Sequence, residues 1–184
     1  LSFIAMSQKA WEAAEKSNLP KFYLNLKSYR KSLLTNSNPY TPAVNLVFAL
    51  DEALKMMREE GLDNIFQRHN KHKLAMSNAV KALNLKLFAD EKYLSPSITA
   101  IKTEGIDAEE FRKTIKNNFD ILLAGGQDHL KGKIFRVGHL GYVNDRDIIT
   151  VVSAISNTLL KLGKITAQQA GEALVIASKY LEGN

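Results

Sequence analysis

An arginine interrupts an apolar run of the sequence, KIFRVGHLGYV at residues 133–143. The residues around Arg136 are typical of a buried strand, and two glycines follow it. Burying a guanidinium without a counter-ion is costly, but its planar fork matches a carboxylate through two parallel hydrogen bonds. The pattern therefore indicates either a site for an organic acid or an arginine that faces solvent or pairs with Asp128 or Asp145. Spacing alone favours the second interpretation.

Lys9 is a second candidate for chemistry. It follows an apolar segment and opens a helix, where a lysine can form an imine with a carbonyl compound. A surface lysine in the first turn of a helix has the same sequence pattern, and this simpler interpretation is favoured.

Two histidines, His69 and His72, lie three residues apart and so share one face of a predicted helix. A metal site needs three or four ligands and groups that orient them. No third ligand has a suitable spacing here. The segment RHNKHK therefore predicts a partly exposed polar edge.

Gly125 and Gly126 stand at the end of a predicted strand. No lysine–threonine pair follows them, so they do not form a phosphate loop of the usual kind. Glycine permits a positive φ or a close backbone approach. A structural turn and a loop beside a ligand both remain open.

The composition is that of a globular protein, with 184 residues of which 45% are hydrophobic and 24% charged. The chain has no cysteine, which excludes disulfides and thiolate metal sites. No apolar run reaches the ~18 residues that a membrane helix needs. The opening LSFIAM is too short for a signal peptide and lacks a basic leader, so we expect a cytoplasmic protein.

The net charge is +6, but basic and acidic residues are interleaved along the chain. No block of like charges or basic–aromatic ribbon occurs, so we expect no nucleic-acid partner. The charge indicates a solvated surface and a site for an anionic ligand.

The first half of the sequence predicts one strand and four helices. The continuous apolar run at residues 3–6 is typical of a strand covered on both faces. Ser7 is expected to cap the first helix, Thr41 to cap the third with Pro42 as its first residue, and Gly61 to end it. The predicted helices cover residues 7–17, 20–34, 42–60 and 63–83.

The second half predicts the order ββαββα and a terminal helix, with a small antiparallel or mixed sheet covered by helices. Asp107 and Asn144 or Asp145 are expected to cap helices. The predicted strands cover residues 85–90, 97–103, 120–126 and 133–141.

Two segments, NPYTPAVNLVFALDEAL at residues 38–54 and AGGQDHLKGKIFRVGHLGYV at 124–143, resemble class V pyridoxal-phosphate-dependent aminotransferases of the alanine–glyoxylate and serine–glyoxylate (serine–pyruvate) group. The resemblance covers nearly the whole chain and is weakest after about residue 164. It implies the C-terminal part of an α/β protein of fold type I. Residues 1–83 would be a mostly helical remnant of the large cofactor-binding domain, and residues 84–184 a small α+β domain.

The resemblance also implies roles for individual residues. In such enzymes pyridoxal phosphate is held on a lysine, and an arginine of the small domain binds the substrate α-carboxylate. Arg136 resembles that arginine. Thr41 resembles a threonine that reaches the cofactor phosphate across a homodimer, with Tyr40 beside it, and the helix 42–60 would lie at the dimer interface.

The same resemblance places the imine lysine upstream of Leu1, so Lys9 does not match it. The phosphate loop, the stacking aromatic and the acid that meets the ring nitrogen would also lie upstream. We therefore expect a fragment without catalytic residues, inactive alone, from an enzyme that moves an amino group from alanine or serine to glyoxylate or pyruvate. The alternatives are a scaffold module such as a hydrogenase-associated subunit and, with only charge in its favour, a nucleic-acid module.

Overall fold

The computed structural model describes residues 1–182, and the chain forms two compact units, Leu1–Glu60 and Gly61–Asn184. Gly61 lies at the division with a φ of +82°, a conformation that favours glycine. The predicted end of a helix at Gly61 is therefore confirmed. The division predicted between residues 83 and 84 concerns the domains of a longer protein and stays a prediction.

The first unit contains three helices, α1 Gln8–Lys16, α2 Leu26–Leu33 and α3 Val44–Glu60. Ser7 caps α1 as predicted, because its Oγ accepts the N–H of Ala10 at 3.2 Å. Asn25 caps α2 in the same way by accepting the N–H of Lys27. None of residues 1–60 is buried, so this unit has no apolar core of its own.

The strand predicted at the start of the chain is wrong. Residues 1–6 have no regular secondary structure, and Phe3 and Ile4 are 78% and 65% exposed. A strand exists only when a neighbouring strand pairs with its backbone. The rest of Leu1–Glu60 forms helices and turns, so the apolar run has no partner within its unit.

The two longer helices predicted for the first unit begin later than expected. Residues 20–25 form turns before α2, and α3 starts at Val44 instead of Pro42. The N–H of Val44 donates to the carbonyl of Pro42 in a tight turn, and Ala43 supplies the first helical carbonyl, to Val47 at 3.1 Å. Thr41 therefore does not cap α3, which corrects the sequence prediction.

The second unit contains four helices and four strands within the described residues. They are α4 Leu62–Ala82, β1 Lys86–Leu87, β2 Ile98–Lys102, α5 Ala108–Phe119, β3 Ala124–Gly125, β4 Ile134–Gly138, α6 Asp145–Lys161 and α7 Ala167–Glu182. All strand pairs are antiparallel, in the order β1-β2-β4-β3. The predicted order ββαββα and terminal helix is confirmed.

The sheet has one face toward the core and one face that carries polar groups. Side chains alternate along a strand, so Ile101 and Phe135 point to the core and are fully buried. The ring of Phe135 contacts Phe111 of α5, with centroids 5.1 Å apart. The opposite face, which we call the Arg136 face, carries Ile134 and Arg136 of β4, an isoleucine, a partly buried alanine and a lysine of β2, and an exposed alanine of β3.

Helices α4, α6 and α7 pack on one another and enclose most of the buried side chains. The buried stripe of α6, from Ile148 through Val152 and Ile155 to Leu159, is the one that its sequence predicts. Among residues 1–182, none of the helices combines the length and the apolar character that a membrane span requires.

Candidate functional site

Arg136 lies in the middle of β4 and is paired on both sides. Its register partners are Ala100 of β2 and Ala124 of β3. The backbone on both sides is therefore fixed, and the side chains directly opposite the arginine on both neighbouring strands are methyl groups. The side chain is half-buried.

The guanidinium of Arg136 is held by the backbone and not by an acid. Its Nε donates to the carbonyl oxygen of Gly125 at 3.0 Å. This bond uses one of five N–H donors, and no carboxylate of the described residues forms an ion pair with Arg136. The arrangement can receive a carboxylate on the remaining donors.

The internal partner considered from the sequence, Asp145, is engaged elsewhere. Its Oδ1 accepts a hydrogen bond from Nε2 of His72 at 2.9 Å, and its Oδ2 accepts one from Nζ of Lys71 at 2.8 Å. Burial alone would raise the pKa of Asp145, but the hydrogen bonds from Lys71 and His72 lower it below its ordinary value. The Asp145 carboxylate is therefore paired with side chains of α4 and not with Arg136.

The two glycines beside this site have different physical roles. A Cβ on Gly126 would collide with the carbonyl oxygen of Leu130, so no other residue fits there. Gly125 supplies the carbonyl that holds Arg136, and a Cβ on it would meet the Arg112 and Glu109 side chains at 2.6 and 2.7 Å. Gly126 thus permits the backbone of Leu130 to approach closely, whereas Gly125 lies directly beside the arginine.

Tyr40 and Thr41 lie in the first unit. The hydroxyl of Tyr40 donates to the carbonyl of Phe22 at 3.0 Å, and its ring centroid is 4.7 Å from that of Tyr23. Thr41 is exposed and precedes α3. Their roles toward a cofactor phosphate, like the role of Arg136, stay predictions.

The described residues alone do not fit pyridoxal phosphate. This cofactor requires a lysine for its aldehyde, an anion site and a partner for its ring nitrogen. Lys9 is exposed in the first turn of α1, as its simpler interpretation predicts. Thr41 and Tyr40 offer two hydroxyls at most, and one of these is bonded to Phe22. Nor do residues 1–182 contain three histidines or acids grouped as a metal site.

The sequence analysis missed a buried histidine network. His72 was predicted to lie on a partly exposed edge, but it is fully buried on α4, which corrects that prediction. His139, directly after β4, is also fully buried, and its Nε2 lies 2.8 Å from Oγ1 of Thr99. The spacing of His69 and His72 shows a shared helix face, but their contacts with Gly141 and Asp145 span more than seventy residues and leave no local signal.

Burial favours the neutral form of both buried histidines. The pKa of His139 is lowered to about 4, mainly by burial and to a smaller extent by the nearby His72 and His69. Burial also lowers the pKa of His72, against the opposing hydrogen bond to Asp145. Neutral imidazoles tolerate burial at much lower cost than charged ones.

Comparison with known proteins gives three informative relatives, although no family model matches the chain. A soluble hydrogenase small subunit from a Synechococcus species is 52% identical over 181 residues, covering 98% of this chain and 47% of that protein. The serine–glyoxylate aminotransferase of Methylorubrum extorquens is 34% identical over 192 residues, covering 100% of this chain and 47% of that protein. The crystal structure of ureidoglycine–glyoxylate aminotransferase from Bacillus subtilis superposes with a TM-score of 0.84 at 28% identity, covering 94% of this chain and 46% of that one.

These relatives agree in fold and in coverage. The chain spans about half the length of the curated relatives it matches, which is consistent with the predicted C-terminal half. The superposition confirms the predicted fold. The chain therefore belongs to the class V pyridoxal-phosphate-dependent aminotransferases.

Proposed function

We propose that this chain supplies the substrate-carboxylate site of an aminotransferase that moves an amino group from a small amino acid, alanine or serine, to a 2-oxo acid such as glyoxylate or pyruvate. One observation carries the proposal. Arg136 is half-buried on a rigid strand, bonded to the Gly125 carbonyl, and without a carboxylate partner among residues 1–182. Serine–glyoxylate aminotransferases are among the relatives that match the chain.

Arg136 would act by binding and orienting. The hydrogen bond from Nε to Gly125 fixes the plane of the guanidinium, so the remaining donors form a preset fork. A carboxylate on that fork holds the substrate carbon in one orientation, which lowers the entropic part of the barrier. The neighbouring alanines leave the fork accessible from the Arg136 face.

The cofactor of the complete protein would be pyridoxal phosphate, which supplies the electron sink for amino transfer. Thr41, and less directly Tyr40, would lie near its phosphate, in a homodimer formed through α3. The isolated chain would be inactive, since the family resemblance assigns the imine lysine to a segment before Leu1. The cytoplasmic location stays a prediction.

A substitution of Arg136 tests the proposal in the complete protein. Arg136→Lys keeps the charge but removes the fork, so we expect kcat/KM for the 2-oxo acid to fall on the order of 100-fold. Arg146→Lys is the matched control, because Arg146 is exposed at the start of α6. Steady-state kinetics with alanine or serine as donor supplies the measurement. Equal activity of the Arg136 and Arg146 variants would refute the carboxylate assignment.

A second candidate function comes from the relatives named as soluble hydrogenase subunits, which are 52% and 53% identical to the chain. In that case the protein would be a binding module without turnover. An activity assay distinguishes the two functions. If the protein is a binding module, the complete protein will bind a hydrogenase partner but show no amino transfer between any donor and 2-oxo acid. Arg136→Lys would then leave partner binding unchanged.

A further inference from the structure

The segment 139–144, which we call the β4–α6 loop, is held by side chains of α4. Arg68 donates through one terminal nitrogen to the carbonyl oxygens of Gly141 and Val143, both at 2.9 Å. Gly141 has a φ of +78°, so the loop makes a turn there that glycine permits at low cost. A charged donor thus satisfies two carbonyls of a loop that has no regular structure.

His69 holds the same turn from its other side. Its Nδ1 lies 2.8 Å from the carbonyl oxygen of Ile65, so Nδ1 carries the proton and donates. Its Nε2 is then the acceptor for the N–H of Gly141 at 3.2 Å. Both backbone groups of Gly141 are therefore bonded to α4 side chains.

Both ends of the loop are fixed as well. At its start, the N–H of His139 donates to the carbonyl of Ser97 at 2.8 Å and extends the pairing of β4 with β2. At its end, Asp145 is held by His72 and Lys71. Helix α4 therefore holds both the middle of the loop and the first residue of α6.

The loop leaves the sheet beside the candidate site. Gly138 ends β4 two residues after Arg136, so a Cβ built on it would point to the same face as Arg136. That Cβ would lie 3.7 Å from Cδ2 of Leu140, which places the Leu140 side chain on this face. Leu140 and Tyr142 are 57% and 84% exposed, although the backbone between them is bonded to α4. A fixed backbone that presents exposed side chains next to a carboxylate site is suited to shaping that site.

We infer that Arg68 and His69 are positioning residues that fix the β4–α6 loop as one wall of the site at Arg136. This inference rests on the proposed function, because it assigns the loop to the binding of the 2-oxo acid. Neither residue touches substrate; each acts through the backbone of Gly141. A mobile wall would bind the acid in several orientations, so its loss would appear mainly in KM.

The test uses the complete protein with three variants of α4. Arg68→Met removes both carbonyl contacts, Arg68→Lys keeps the charge without the fork, and Lys73→Met is the control. Lys73 lies on the same helix, and its substitution removes the same charge without removing a bond to the loop. We expect Arg68→Met to raise KM for the 2-oxo acid about tenfold with kcat changed less than about threefold, and Arg68→Lys to lie between it and wild type.

Amide hydrogen exchange at Gly141 measures the loop itself. We expect exchange at Gly141 to accelerate in Arg68→Met and to match wild type in Lys73→Met, while the amides of β4 stay protected. Unchanged exchange in Arg68→Met would overturn the inference, and so would faster exchange with an unchanged KM in an active enzyme. If the wild-type protein transfers no amino group, the proposed function fails and this inference fails with it; if wild type is active, only the inference is at risk.

Discussion

At Arg136, a backbone carbonyl accepts the hydrogen bond that an acid usually accepts from a buried arginine. A carboxylate partner would neutralise the side chain, whereas the Gly125 carbonyl orients it and leaves its positive charge in place. The charge is then available to an incoming anion. Spacing alone favours another outcome, in which Arg136 faces solvent or pairs with an internal acid such as Asp128 or Asp145. The structure pairs Asp145 with His72 and Lys71, across more than seventy residues.

His139 makes the stability of the fold depend on pH. Its pKa in the folded chain is about 4, against about 6.5 for an unfolded histidine. Between these values the unfolded chain binds a proton that the folded chain does not, so stability falls as pH falls from about 6.5 to 4. The loss from this one group is roughly 3 kcal/mol at most. His72, whose pKa is also lowered, acts in the same direction.

Urea unfolding at pH 7.0 and pH 4.5 tests this dependence. We expect His139→Asn to lose less stability between these pH values than wild type, by roughly 1–3 kcal/mol. His129→Asn is the control, because His129 is exposed in the loop between β3 and β4. If wild type and His139→Asn showed the same difference between the two pH values, the buried neutral histidine would not be the cause.

Among the elements, the start of α6 is determined by local chemistry. Oδ1 of Asn144 accepts the N–H groups of Arg146 and Asp147, and the Asp147 carboxylate accepts the N–H of Asn144 at 2.9 Å. This reciprocal arrangement satisfies donors that would otherwise lack partners. It also fixes the end of the β4–α6 loop.

Removal of this cap has a defined cost. We expect Asn144→Ala to lower the free energy of unfolding by about 1 kcal/mol. Asn157 is exposed in the middle of α6. We expect Asn157→Ala to leave the free energy of unfolding unchanged or to raise it slightly, because alanine has the higher helix propensity. Chemical denaturation of the two variants gives the comparison. Equal losses would mean that the cap contributes no more than any exposed asparagine of this helix.

The same elements show where sequence prediction succeeds and fails. Ser7, Asp107 and Asn144 were identified as caps because capping depends on neighbours within three residues. The strand at residues 1–6 was wrong because pairing depends on a distant strand that this unit lacks. The burial of His72 was missed for a related reason: which face of α4 is covered depends on α6 and α7, far along the chain.

At the scale of the whole molecule, the two units differ in what they bury. The second unit has a continuous core of side chains from α4 through α7 and the inner face of the sheet. The first unit buries none of its residues and exposes large apolar groups, among them Phe3, Phe22 and Phe48. Exposed apolar surface of this extent marks an interaction surface. The chain spans about half the length of the relatives that it matches.

Helix α3 provides the sharpest test of assembly. Leu46, Val47, Leu54 and Met57 share one face of the helix and are each about half exposed. We expect this face to form the centre of a homodimer interface, so that Leu54→Glu in the complete protein weakens dimerisation at least about tenfold, because a buried charge without a partner is costly. Asn45→Glu adds the same charge on the opposite face of α3 and should leave the dimer intact. Sedimentation equilibrium measures both variants. A monomeric wild-type protein, or equal weakening by the two variants, would show that α3 does not form the interface.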